Sequence, residues 1–225
     1  MINTTGPADL WPWGRMTGCL FLVLLACGPF SQVYVAQAVF APGDPVATAR
    51  LLSTNRGLFA VSICLDFVLL LAEIGLALAT WKLFAPVHRE LALAAAMLRF
   101  ANGSAQGVTV ALKCAALGAL SYGDGTFAFA LVDASRSSVR VWEIFFGAHC
   151  LTVAFLCLMA TNIPRLLGWL IGIAGLGYLA NAIGHVMIPE ASLILAVIVG
   201  TGALIGEFPL FLWLLTRRSS QRRTV

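Results

Sequence analysis

The sequence predicts an all-α protein of the polytopic membrane class: one bundle of about six transmembrane helices filling residues 1–225. Two observations carry this reading. Apolar residues make up 60% of the chain and charged residues only 11%, with a mean hydropathy of +0.92, against roughly 45–50% and 25% in soluble domains. The apolar residues also fall into six runs of about 20 or more, the length needed to cross about 30 Å of hydrocarbon. No stretch between the runs is long enough for a separate domain.

The head, Met1 to Arg15, carries Trp11 and Trp13 and reads as an interfacial lead-in to a first span over 17–40, which Pro29 should kink. The loop 41–56 contains Asp44-Pro45, where proline suits the first position of a short helix. The second span, 58–84, ends at Trp81-Lys82, a typical interface pair. Residues 86–90 form a tight turn before the third span, 91–120. The longest polar interval, 121–140, has a Gly123-Asp124-Gly125 turn and then FAFALVDA, read as a short helix lying along the membrane surface. Spans over 141–160, 166–187 and 191–215 follow, separated by turns at Pro164 and Pro189.

Lysine and arginine outside the spans set the orientation. One side holds Arg15, Lys82, Arg89, Arg165 and the tail Arg217, Arg218, Arg222 and Arg223; the other holds Arg50, Arg56, Arg136 and Arg140. The richer side is expected to be cytoplasmic, so both termini are placed there. The tail arginines read as an anchor near anionic lipid rather than a nucleic-acid patch. All six cysteines lie in apolar runs, in no metal-ligating spacing, and read as small apolar fillers. No metal or cofactor is expected.

The informative residues are the polar ones inside the spans, each costly in hydrocarbon. Asp66 and Glu73, seven residues apart, share one face of the second span about 10 Å apart along the axis. Arg99, Asn102, Gln106 and Lys113 form a single stripe on the third. The tight turn makes these spans antiparallel neighbours, setting Glu73 near Arg99 and Asn102, and Asp66 between Gln106 and Lys113. His149, Asn181 and Glu207 add polar groups from the last three spans, and Tyr178 reads as a packing or interface residue. Glu143 and His185 sit near the membrane surface and read as a solvated cap residue and a snorkelling side chain. By depth, an outer layer is expected to hold Asp66, Lys113, Glu143, His149, Asn181 and His185, and an inner layer Glu73, Arg99 and Glu207. Four carboxyls face two bases, so at least one acid is expected to keep its proton.

Several segments resemble a bacterial multi-pass membrane family. They are PGDPVATA (42–49), LALAAAMLRFANG (91–103), FFGAHC (145–150), IPRLLGWLIGIAGLGYL (163–179) and Gly206-Glu207, in this order. The family is DUF-4386, a domain of unknown function, and the likeness covers about Arg15 to Leu215. It implies an all-helical protein of the bacterial inner membrane and supplies no catalytic residue. Arg99, His149 and Glu207 lie inside the family-like segments.

Three functions are weighed. The first is binding or translocation of a small molecule or lipid at the polar cluster, with membrane lipids and a second copy of the chain as partners. The second is an intramembrane enzyme using carboxyl and histidine acid-base chemistry on a lipid or isoprenoid-like substrate. The third is a scaffold or regulator whose ion pairs only pin helices. An enclosed pocket favours the first two; tight pairing without a void favours the third.

Overall fold

A computed structural model describes residues 11–188, 190 and 192–216. The head before Trp11, Pro189 and the tail arginines lie outside the described residues. All regular structure among the described residues is helical. In chain order the helices are α1 (Trp11–Pro29), a π-helical turn (Phe30–Val35), α2 (Ala36–Val39), α3 (Pro45–Thr54), α4 (Arg56–Phe84), α5 (Arg89–Ser121), α6 (Gly125–Met159), α7 (Arg165–Met187) and α8 (Ser192–Thr216). Stretches Pro12–Val39, Arg56–Phe84, Gly125–Met159, Arg165–Met187 and Ile194–Thr216 are long and apolar enough to cross a membrane. The protein is therefore a multi-pass membrane protein. The remaining long helix, α5, is diluted by its polar stripe.

Local chemistry sets the helix ends. Asp44 accepts from the backbone N–H of Ala47 at 2.9 Å, and Pro45 opens α3 where its missing N–H costs nothing. His88 and Asp124 cap α5 and α6 in the same way.

Two segments differ from the expectation. The first helix begins at Trp11, so Trp13 and Arg15 are helical, and Pro29 is followed by a widened π turn. Proline removes one helical hydrogen bond, and the turn after it absorbs the mismatch. FAFALVDA is not a separate surface helix. It forms the opening turns of α6, because Asp124 caps the start and no proline interrupts the 35 residues that follow. Helix α3 packs against this extension, and Phe40, just after α2, stacks on Phe129 at 5.5 Å.

The long helices close into a ring. Helix α4 packs on α5, α5 on α6, α6 on α7, α7 on α8, and α8 returns to α1, which packs on α4. Matched contacts show that α4, α5 and α6 alternate in direction: Asp66 to Lys113 and Glu73 to Arg99 across α4–α5, and Thr109 to Ser138 and Ala95 to His149 across α5–α6. At the α6–α7 crossing, Gly147 and Gly175 face each other so closely that a methyl on either would lie 2.9 Å from the other's carbonyl oxygen. Such small-residue contacts let helices approach in lipid.

The outward faces are apolar. Phe67, Leu71, Ile74 and Leu78 point away from the ring on α4, as do Leu93, Met97, Phe100 and Val108 on α5. Two buried apolar clusters plug the ends of the ring. One gathers Phe84, Ala95, Val153, Leu156 and Leu210; the other gathers Val35, Phe40, Phe59, Val110 and Val132. The polar residues lie between them.

Candidate functional site

Along the α4–α5 seam the pairings follow the helical spacing. Arg99 meets Glu73 through two contacts, Nε to Oε2 at 2.5 Å and Nη2 to Oε1 at 3.1 Å, with both side chains almost fully buried. The guanidinium lies over the Phe146 ring at 4.7 Å, a cation–π contact strengthened by burial. Lys113 Nζ reaches Asp66 Oδ2 at 2.7 Å. The same carboxylate accepts from Ser31 Oγ at 2.6 Å and Gln32 Nε2 at 3.3 Å. Both helpers come from the π turn, which aims them across α4.

Glu143 and Asn181 tie α6 to α7. The Asn181 amide donates to both Glu143 oxygens, at 3.0 and 2.9 Å, and Arg140 approaches Oε2 at 2.9 Å. Glu143 is 4% exposed. The reading of it as a solvated cap residue is therefore corrected: α6 runs straight through the expected surface helix and carries Glu143 into the bundle. His185 is exposed, as its position near the membrane surface implies. His149 belongs with the Arg99 level rather than with Glu143, because its Nδ1 lies 2.8 Å from the Ala95 carbonyl, one turn before Arg99. Its ring also stacks on Phe146.

Glu207 stands apart. It is 4% exposed, its Oε1 accepts from the Tyr178 hydroxyl at 2.8 Å, and no cation among the described residues pairs with it. Helix α8 brings it to Tyr178 because Gly206 lets α8 rest directly on Leu170 and Ala174 of α7.

Three voids lie along the ring axis. The largest, about 370 Å³, sits at mid-depth; its polar wall carries Glu73, Arg99, Asn102, Gln106, Glu143 and Glu207, with Tyr178 and Trp142. Its apolar wall comes from α1 and α8, including Leu24, Leu25, Val33, Val199 and Ala203. A second, about 180 Å³, is lined by Ser31, Lys113, Ser135 and Arg140. Gln32 and Trp142 line both, forming the partition between them. The third, about 30 Å³, holds His149 and Thr17 and shares Arg99, Phe146 and Glu207 with the middle cavity. It has room for a water molecule.

Of the residues singled out from sequence, Glu73, Arg99, Asn102, Gln106 and Glu207 share the middle cavity; Lys113 lines the second void and His149 the third. Asp66 is held against Lys113, and Asn181 acts through Glu143. Sequence alone does not single out Ser31, Gln32 or Trp142, and it assigns Tyr178 to packing. The interruption at Pro29 is the available pointer to the first two, since π turns are frequent at functional sites.

The family model for a domain of unknown function, DUF4386, matches residues 16–217. The chain belongs to this family. The matched range reaches every long helix, leaving out only the first five residues of α1, and covers every residue lining the three voids. No curated protein and no solved structure matches the chain. The description of the DUF4386 family assigns no activity, so function is argued from the cavity.

Proposed function

We propose that this protein binds a small molecule or lipid in its middle cavity and passes it along the ring axis. The supporting observation is the cavity itself, a void of about 370 Å³ at mid-depth with charged groups on one wall and apolar groups on the other. Helices that existed only to pin each other would close around their ion pairs. The entrance lies between α1 and α8. These touch where Gly14 and Phe21 meet Leu214 and Phe211, and Phe21 itself lines the cavity, with Leu24 and Ala203 further along its wall. An amphiphile enters there from the hydrocarbon, and the partitions at Gln32–Trp142 and Arg99–Phe146 are the points at which passage is controlled. A π turn set into a helix beside a buried site is a recurring functional device.

In this reading α5 is a sixth span, its polar stripe turned inward, and the protein sits in a bacterial inner membrane with both termini cytoplasmic. The transporting unit is a homo-oligomer. Native mass spectrometry of protein released from nanodiscs tests the proposal. A bound species is expected on the wild type and absent from Ala203→Trp, which fills the apolar wall. A wild type that carries nothing, or an Ala203→Trp variant that carries the same species, overturns it.

A further inference from the structure

We propose that the middle cavity selects a monovalent organic cation with an apolar body, and that Glu207 is its counter-ion, giving up a proton as the cation binds. This rests on the reading of the cavity as a binding site and names the ligand's chemistry.

Three of the four acids buried among the described residues have cation partners. Glu73 is held by Arg99, Glu143 by Arg140, and Asp66 by Lys113. Glu207 alone among these buried acids has no cation among the described residues, yet it lines the cavity. Tyr178 engages one of its oxygens. The groups facing it from the other helices supply no spare positive charge. Arg99 of α5 is committed to Glu73 of α4, His149 of α6 is turned to the Ala95 carbonyl, and α1 and its π turn contribute Thr17 and Gln32, neither ionisable. A second observation points the same way. Asn102 lines the cavity at 1% exposure, and its Oδ1 has no hydrogen-bond partner. A carbonyl oxygen left without a donor carries a partial negative charge, which a cation complements even when it has no N–H to give. The walls complete the fit: Trp142, Phe146 and Tyr178 offer ring faces of the kind that hold organic ammonium ions, and Leu24, Leu25 and Val199 take apolar substituents.

The exchange balances. With the cavity empty, an isolated buried carboxylate is too costly and Glu207 carries its proton. When a quaternary ammonium ion enters, the O–H bond of the Glu207 carboxyl breaks, its proton leaves to water, and the carboxylate left behind pairs with the ammonium. One positive charge enters and one departs. No other bond changes.

The test uses benzyltrimethylammonium, which has no proton of its own, and neopentylbenzene, the same shape without charge. Each is titrated calorimetrically into the full-length protein in nanodiscs, in buffers of different ionisation enthalpy. The cation is expected to bind at least tenfold more tightly than its neutral isostere, releasing about one proton per ion. Glu207→Gln should remove the proton release and at least tenfold of the affinity, while Glu207→Asp keeps the release. Equal binding of both probes, or proton release that survives Glu207→Gln, overturns the cation assignment and leaves the cavity reading standing. Binding of neither overturns both. A wild-type measurement covers failure of Glu207→Gln to fold: dicyclohexylcarbodiimide, which attacks protonated carboxyls in apolar surroundings, should modify Glu207, and benzyltrimethylammonium should block it. Modification that the cation leaves unchanged counts against the proposal.

Discussion

The α4–α5 seam and the α7–α8 seam both bury carboxyls, but they handle them in opposite ways. On α4, Glu73 and Asp66 each face a cation at hydrogen-bonding distance, and Asp66 gains Ser31 and Gln32 as well. On α8, Glu207 receives a single phenolic hydrogen bond. A buried pair is locked, because removing either member strands the other in low dielectric. A buried acid without a counter-ion is free to change its charge when something charged arrives. The first seam is locked by its ion pairs, and the second buries an acid that pairs with no cation among the described residues.

The largest effect that sharpens this contrast is expected at Arg99. Arg99→Ala strands Glu73 and should cost about 3–5 kcal/mol, seen as lost folded yield in detergent. Unchanged yield and melting temperature would break the pairing argument. Lys113→Met should cost a similar amount, but adding Asp66→Leu should recover most of it, since a well-packed apolar pair replaces a buried ion pair with little loss. A double variant no better than the single would show that Asp66 does more than pair. Arg140→Ala is expected to cost less, about 0.5–1 kcal/mol, because Arg140 is 24% exposed and Asn181 still holds Glu143. The smallest effect belongs to Glu207→Gln. The amide oxygen can still accept from Tyr178, and no cation is left unpaired, so the melting temperature should stay within a few degrees of wild type. A collapse in stability there would place Glu207 with the locked acids.

Much of this arrangement is legible in the sequence, and the reasons are geometric. Positions seven apart on a helix return to the same face, and a tight turn makes neighbours antiparallel, so Asp66 opposite Lys113 and Glu73 opposite Arg99 follow from spacing alone. Partners brought together by ring closure are not legible. Nothing local says that Ser31 meets Asp66, since the π turn that aims it forms only against α4. Glu143 misleads because polar residues 133–140 resemble a loop, whereas serine and arginine continue a capped helix readily. The depth of His149 depends on the length of α6, so the same error displaces it. Pattern finds faces, and closure decides which faces meet.

The middle cavity exists only if the α5 stripe of Arg99, Asn102 and Gln106 faces a protein interior. A nitroxide scan from residue 93 to residue 109 of α5, in a cysteine-free background in lipid bilayers, tests this directly. Collision with lipid-dissolved oxygen should peak at Leu93, Met97, Phe100, Ser104 and Val108 and fall to a minimum at Ala95, Ala96, Asn102 and Thr109. Maxima at Ala95 and Asn102 instead would turn the stripe outward and contradict the inward-facing arrangement.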